Sequence, residues 1–278
     1  MKTETKSENY QLKGNPVVRV PVIGNLVYDE IGKEVLALHN EKFNGISSIE
    51  DNHSYKQGQP ISYSNLPRKL SYNQILREKF PFLNVHTLSD EETVMYWDLI
   101  PERDSTYADI DPVVFPKEGP NEDLRKRVLD ILKKQRTEVP LVISGLGVEK
   151  ADNNHGFTFI ETPYTKAKEA SYLSKDGKVV YDKDKGLVNS EQGIPIWTAK
   201  SGLRGLYRVR SGGLYARSDD LLNSDEAGRV QLVQDPQGSQ KNLEDKLSLL
   251  REQAESQIAE INERYNMASE YIKTGKKF

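Results

Sequence analysis

The chain has 278 residues, a formal net charge of −3 and no cysteine. This length allows one large or two modest domains, because domains cluster near about 100 to 200 residues. The absence of cysteine excludes disulfides, thiolate nucleophiles and cysteine-ligated zinc or iron–sulfur sites. A net charge near zero gives no overall attraction to phosphate backbones, so nucleic-acid binding would need a local basic patch.

The first residues, MKTETKSENYQLKG, are polar and charged and lack the apolar core of a secretory signal. No apolar run approaches the roughly 20 residues that cross a bilayer. The lack of cysteine also fits a reducing compartment. We therefore expect a cytoplasmic protein with no membrane partner. Residues 1–15 offer little to bury and are predicted to form a flexible tail.

Residues 16–138 are predicted to be mainly helical. Pro21 interrupts the β-branched run VVRVPVIGN, which is therefore expected to be an edge strand or an extended arm. Apolar residues recur at helical spacing from Leu26 to Leu38, and the next stretch, to about Pro67, has the composition of a loop. Three further helices are predicted: one capped by Ser71 and ended by Pro81, one opened by the capping box of Ser89 and Glu92, and an amphipathic one from about Asn121.

Residues 139–238 are predicted to form an antiparallel β portion. Short β-rich runs, among them LVIS, GFTFIE, IPIWT, LYRVR and GRVQLV, alternate with turn residues. The connections are too short for repeated helical crossovers, which favours antiparallel pairing. The predicted fold class is therefore α+β, with a helical N-terminal half followed by a β-rich region.

Residues 239–278 are predicted to form a long amphipathic C-terminal helix. The segment from Asn242 to about Lys273 contains no glycine or proline. Its apolar residues recur at alternating steps of four and three residues, with one extra step of four. Two heptad tracts joined by a stutter give this pattern, which favours a coiled coil with a second copy or another protein. The alternative is a helix that lies across its own domain. The candidate interface residues are Leu243, Leu247, Leu250, Ile258, Ile261 and Tyr265.

Asp109 and Asp111 form a D-x-D motif in the acidic stretch ERDSTYADID. Carboxylate oxygens are the ligands that hard cations such as Mg²⁺ prefer, so the two residues are candidate ligands for a divalent metal. The favoured interpretation is a solvated turn-forming loop, because short motifs out of context are weak and Pro112 follows at once. We expect no other cofactor.

The segment from Ser201 to Leu222 contains four arginines and two tyrosines. Strand alternation followed by a two-residue turn sets Tyr215 opposite Arg208 or Arg210, depending on the register. Either register predicts one face that could bind an anion. The favoured alternative is a charged solvent face, neutralised by the acids that follow. The candidate anion-binding residues are Arg204, Arg208, Arg210, Tyr215 and Arg217.

The sequence contains no P-loop, no dinucleotide-binding glycine motif after a strand and no G-x-S-x-G motif. The primary prediction is therefore a non-enzymatic interaction or assembly protein that uses its C-terminal helix for self-association or partner binding. The first alternative is a metal-assisted enzyme that acts on a phosphorylated or nucleic-acid substrate. A weaker alternative is a nucleic-acid-binding module.

Overall fold

The computed structural model describes residues 21–50, 56, 58–100, 105–170, 181–182, 186–187, 196–198, 200–209, 213–216 and 221–234. The chain divides into two compact units. One unit is Pro21–Phe80 with Val85–Gln234. The other is Met1–Val20, Pro81–Asn84 and Asp235–Phe278, of which the described part is the short segment Pro81–Asn84. The predicted N-terminal tail, the C-terminal helix and its candidate interface residues lie outside the described residues.

Local sequence signals account for where the described helices begin. The α-helices are α1 (Glu30–Lys42), α2 (Leu66–Lys79), α3 (Asp90–Met95) and α4 (Glu122–Ile131). The predicted capping box is present at α3, where the hydroxyl of Ser89 accepts from the backbone N–H of Glu92 and the Glu92 carboxylate accepts from the N–H of Ser89. Short 3₁₀ turns occupy Pro81–Leu83 and Trp97–Leu99. In the described ranges, no helix combines the length and the apolar character needed to cross a bilayer.

Helix α2 begins earlier than predicted. The expected start at Ser71 is wrong, because the side chain of Asn65 caps the helix by accepting from the backbone N–H of Arg68. Pro67 lies in the first turn, where proline fits because its missing N–H would have no helical partner. The proline that was interpreted as the end of a loop therefore belongs to the helix.

The described strands, in chain order, are β1 (Val22–Asn25), β2 (Val85–Thr87), β3 (Ala108–Val114), β4 (Leu141–Ser144), β5 (Gly147–Lys150), β6 (Phe157–Ile160), β7 (Lys166–Glu169), β8 (Tyr181–Asp182), β9 (Gly186–Leu187), β10 (Ile196–Thr198), β11 (Leu203–Arg208), β12 (Leu214–Ala216) and β13 (Gln231–Gln234). The largest sheet has the order β10-β12-β11-β3-β4-β7. Its pairs are antiparallel except β10 with β12, which is parallel. A second antiparallel sheet has the order β1-β13-β2, so β1 is an edge strand, as the proline at position 21 predicted.

Both faces of the largest sheet are buried around β3 and β4. Val114 and Leu141 pair across β3 and β4 and pack on one face with residues of α2 and α4, among them Leu70 and Val128. The neighbouring pair, Val113 and Val142, packs on the other face with Val94 of α3. Residues on both sides of position 138 thus share one core, and the α+β class is confirmed. Polar side chains such as that of Asp111 on β3 are also buried in this region.

Candidate functional site

Both residues of the D-x-D motif lie in a buried strand rather than in a loop. They belong to β3, which lies between β11 and β4 in the sheet. The register shifts between Gly205 and Tyr207, so Ile110 and Asp111 of β3 together face one residue of β11. Such a bulge redirects a side chain and is common next to functional sites. The predicted solvated loop is therefore wrong, because both aspartates lie within a strand of the main sheet that continues to Val114.

Asp111 forms a buried ion pair with Lys69 of α2. The Lys69 Nζ atom lies 3.0 Å from Asp111 Oδ1, and the two side chains are 3% and 1% exposed. The other carboxylate oxygen of Asp111 accepts from the backbone N–H of Asp90 at 3.2 Å. Burial raises the pKa of Asp111 to about 6, although Lys69 acts in the opposite direction. The carboxyl group is thus held near the pH range in which it can exchange a proton.

Asp109 lies in a different environment, where its Oδ2 atom accepts from the hydroxyl of Ser64 at 2.9 Å. Burial raises the pKa of Asp109 to about 7. Among the residues that the structure describes, no three His, Asp or Glu side chains are grouped as metal ligands. The ammonium group of Lys69 already supplies the counter-charge of Asp111. The metal role of Asp109 and Asp111 stays a prediction without a third ligand to support it.

Helix α2 supplies one wall of the site through Lys69, Asn73 and Arg77. Their spacing of four residues places them on one face of the helix. Asn73 organises this wall, because its Oδ1 atom accepts from the backbone N–H of Thr87 at 3.0 Å and from Nε of Arg77 at 3.4 Å. The sequence contains this polar stripe, but the predicted start at Ser71 left Lys69 outside the helix. The stripe is the signal from which this wall could have been predicted.

The turn from β2 into α3 supplies the second wall. His86 Nε2 lies 2.7 Å from Glu92 Oε1, and Ser89 donates to the same carboxylate from its N–H and its hydroxyl. Burial alone would raise the pKa of Glu92, but the bonds from His86 and Ser89 together lower it. The capping box that begins α3 therefore also fixes a charged residue at the site.

Strand β7 completes the site with Lys168. Its Nζ atom lies 2.6 Å from Asp90 Oδ2 and 3.0 Å from Glu91 Oε1. Burial alone would lower the pKa of Lys168, but the carboxylates of Asp90 and Glu91 together have the larger effect and raise it. Burial also raises the pKa of Asp90. The backbone bond from Asp90 to Asp111 joins this cluster to the Lys69 pair.

These walls enclose an open cavity of about 510 Å³. We call it the charged pocket; Lys69, Arg77, Asp90, Asp111, Tyr164 and Lys168 are among the residues that line it. Its size falls within the range of about 300–1,000 Å³ that is typical of small-molecule sites. The arrangement brings acidic and basic groups together around a space that one small molecule can occupy.

The structure does not assemble the predicted arginine face in either expected register. Tyr215 pairs with Tyr207, and Arg208 pairs with Leu214. Both predicted registers are therefore wrong. The backbone N–H of Val209 bonds to the carbonyl of Gly213, in line with the observed pairing of Arg208 with Leu214. The observed partner of Tyr215 lies one position before Arg208 and three positions before Arg210.

Arg204 and Arg208 are buried rather than solvent-facing, because both faces of β11 are covered by other parts of the protein. Arg204 Nε donates to the carbonyl of Ser201 at 3.0 Å, and Arg208 Nη2 donates to the hydroxyl of Thr106 at 3.1 Å. The other two arginines of the candidate face, Arg210 and Arg217, lie outside the described residues. The anion-binding role of the five-residue set stays a prediction.

The fold and the pocket together define an α+β protein with a charged cavity of small-molecule size. Comparison of the chain with protein-family profiles, with curated proteins and with solved structures finds no match in any of the three. The function is therefore argued from the chemistry of the pocket itself.

Proposed function

We propose that this protein binds a small charged molecule in the charged pocket. The observation that carries the proposal is the buried ion pair of Lys69 and Asp111 in the pocket wall. Removing two charges from water costs several kcal/mol per ion, and well-packed apolar residues in their place are often as stable or more so, by about 1–4 kcal/mol. A pair that contributes little to stability but lines a cavity is better explained by what the cavity binds.

The raised pKa values of Asp90 and Asp111 give further support. Both carboxyl groups line the same pocket, and burial raises the pKa of each. Titratable groups with shifted pKa values concentrate at binding and catalytic sites. A bound molecule that gives a proton to these carboxylates would find both groups more readily protonated than an exposed aspartate, because burial raises the pKa of each. Proton transfer is the chemistry that this pocket is best suited to perform.

The metal-assisted alternative has less support than ligand binding without a metal. Asp109 and Asp111 each have a hydrogen-bond donor, from Ser64 and Lys69. The described residues offer no group of three metal-ligating side chains. The phosphorylated substrate of that alternative remains compatible with the pocket, because the cations there need no metal to attract an anion.

A pocket-filling variant tests the proposal. Ala167 is exposed on β7 and lines the pocket, so Ala167→Trp is expected to fill the cavity without disturbing the core. A set of small acids, amines and neutral amides is screened against the full chain by ligand-observed NMR. Compounds that bind the unmodified protein at millimolar concentration are expected to lose binding in this variant.

The matched control is Ala37→Trp, because Ala37 is equally exposed on α1 and does not line the pocket. This variant is expected to keep every binding compound. Compounds that still bind to the Ala167→Trp protein would place the ligand elsewhere. A screen without a single binding compound would also refute the proposal.

We propose a second function, self-association through the C-terminal helix, on the basis of the sequence pattern. Leu250→Lys places a charge in the seam of apolar residues, where burial against a second copy would be costly. Light scattering is expected to show a dimer or larger assembly for the unmodified chain and a monomer for this variant. Gln253→Lys adds the same charge outside the seam and is expected to leave the mass unchanged. A monomeric unmodified chain would end this proposal.

The location and the remaining partners follow from composition alone. We place the protein in the cytoplasm, on the support of a chain without cysteine. Nucleic acid is not favoured as a partner, because the net charge of −3 supplies no general attraction to phosphate backbones. A protein partner of the C-terminal helix would take the place of a second copy in the same seam.

A further inference from the structure

The cations of the charged pocket differ in whether a carboxylate neutralises them. Lys69 pairs with Asp111, and Lys168 pairs with Asp90 and Glu91. Arg77 and Lys166 also line the pocket, but neither lies within 4.0 Å of a carboxylate in the part of the chain that the structure describes. Within the described residues, the pocket therefore presents two cations outside its ion pairs, and Glu92 and Asp111 act on Arg77 only from a longer distance.

Arg77 is held in a fixed orientation. Its guanidinium carbon lies 4.2 Å from the centre of the Tyr164 ring, a cation–π distance, while Asn73 accepts from its Nε atom at 3.4 Å. The Tyr164 ring contacts one face of the guanidinium and Asn73 contacts its Nε edge. The remaining N–H groups can donate two parallel hydrogen bonds to an oxyanion. Burial lowers the pKa of Arg77, the direction expected for a cation whose burial is not fully compensated.

The turn that carries Tyr164 is fixed against this wall by Gly145. The carbonyl of Gly145 accepts from the hydroxyls of Thr162 at 2.6 Å and Thr165 at 3.2 Å. A Cβ atom at Gly145 would lie 2.2 Å from the carbonyl oxygen of Tyr164, and the φ of Gly145 is +72°. Only glycine permits this close approach. The backbone position from which Tyr164 reaches Arg77 is therefore built into the fold.

Thr87 supplies an additional polar group. Its side-chain oxygen is buried and has no hydrogen-bond partner among the described residues, and the residue lines the same pocket. A buried hydroxyl without a partner costs free energy unless something bonds to it. A ligand that reaches this oxygen would satisfy it.

We infer that Arg77, supported by Tyr164 and assisted by Lys166, binds the oxyanion of the pocket ligand, a carboxylate or a phosphate group. The inference rests on the proposed function and specifies its ligand. The paired charges of Lys69, Asp111, Asp90 and Lys168 then face the remainder of the molecule, which makes a small polar acid the class of compound that fits.

The test is isothermal titration of the full chain with inorganic phosphate and, separately, with succinate. At least one of the two is expected to bind below about 10 mM, and Arg77→Gln is expected to weaken that binding about tenfold or more. Arg77→Lys keeps the charge without the planar fork, so its affinity should lie between that of the unmodified protein and that of Arg77→Gln. Tighter binding of phosphate would assign a phosphorylated ligand, and tighter binding of succinate a carboxylic acid.

Arg136→Gln is the control, since Arg136 is exposed and does not line the pocket; it is expected to leave both titrations unchanged. Failure of both anions to bind, or binding that Arg77→Gln does not weaken, would overturn the inference. The proposed function would still stand if Ala167→Trp abolished binding of an amine or amide that Arg77→Gln left intact. Melting curves for each variant show that loss of binding does not come from loss of the fold.

Discussion

Lys69→Met is expected to lower the free energy of unfolding by about 3–5 kcal/mol, because it leaves the Asp111 carboxylate buried without its counter-charge. The double variant Lys69→Met/Asp111→Leu is expected to be close to the unmodified protein in stability or above it. Both buried charges are then absent, and apolar side chains of similar volume fill the space. Urea denaturation of the three proteins measures the difference.

The pH dependence of the single variant follows from the same contact. The folded-state pKa of Asp111, about 6, lies above the ordinary aspartate value of 3.8. Its protonated form is thus favoured in the folded protein, and stability is lost as pH rises through the folded pKa. Removal of Lys69 removes a contact that lowers this pKa. The loss is therefore expected to be larger at pH 8 than at pH 5.

The double variant also separates stability from binding. If the pair exists for the ligand, the double variant folds as well as the unmodified protein but no longer binds the compounds that Ala167→Trp excludes. A double variant that is as unstable as Lys69→Met would show that the space cannot be repacked. In that case the pair would have a structural role, and the principal support for the pocket function would be lost.

Local signals predicted the parts of the fold that depend on a few neighbouring residues. The capping box of Ser89 and Glu92 is present, and the β1 strand lies at a sheet edge, as Pro21 indicated. The errors arose where two local signals competed. Pro67 was interpreted as part of a loop although it also fits a first helical turn, and Asn65 was the stronger cap.

The candidate site was harder to predict because its contacts join distant parts of the chain. Lys69 and Asp111 are 42 residues apart, and nothing in either local sequence indicates the pairing. The D-x-D motif identified Asp111 as a candidate residue. The strand and its bulge could not be predicted from the motif, because both depend on pairing with β11. Burial of the arginines on β11 had the same origin, since the side chains that cover the two faces of this strand come from distant parts of the chain.

Arg68→Met is expected to lower the free energy of unfolding by about 3–5 kcal/mol, through the loss of three backbone contacts. The buried guanidinium of Arg68 donates to the carbonyls of Ile49 at 2.7 Å, Glu50 at 2.7 Å and Tyr63 at 2.6 Å. These bonds attach the two ends of the connection between α1 and α2 to the helix that carries Lys69 and Arg77. Methionine fills part of the volume but leaves the carbonyls of Glu50 and Tyr63 without the guanidinium donor, while the Ile49 carbonyl keeps its bond to His39 Nε2 at 2.9 Å.

The matched control is Arg127→Met on α4, whose Nε atom donates to a single carbonyl, that of Phe159, at 3.0 Å. Its loss is expected to cost about 1 kcal/mol. Denaturation curves for the two variants compare the free energy lost with the three hydrogen bonds of Arg68 to that lost with the single hydrogen bond of Arg127. Equal losses would mean that water replaces Arg68 at the carbonyls. The connection would then be held by its apolar contacts, such as those of Phe43 and Ile49 in the core, rather than by the guanidinium.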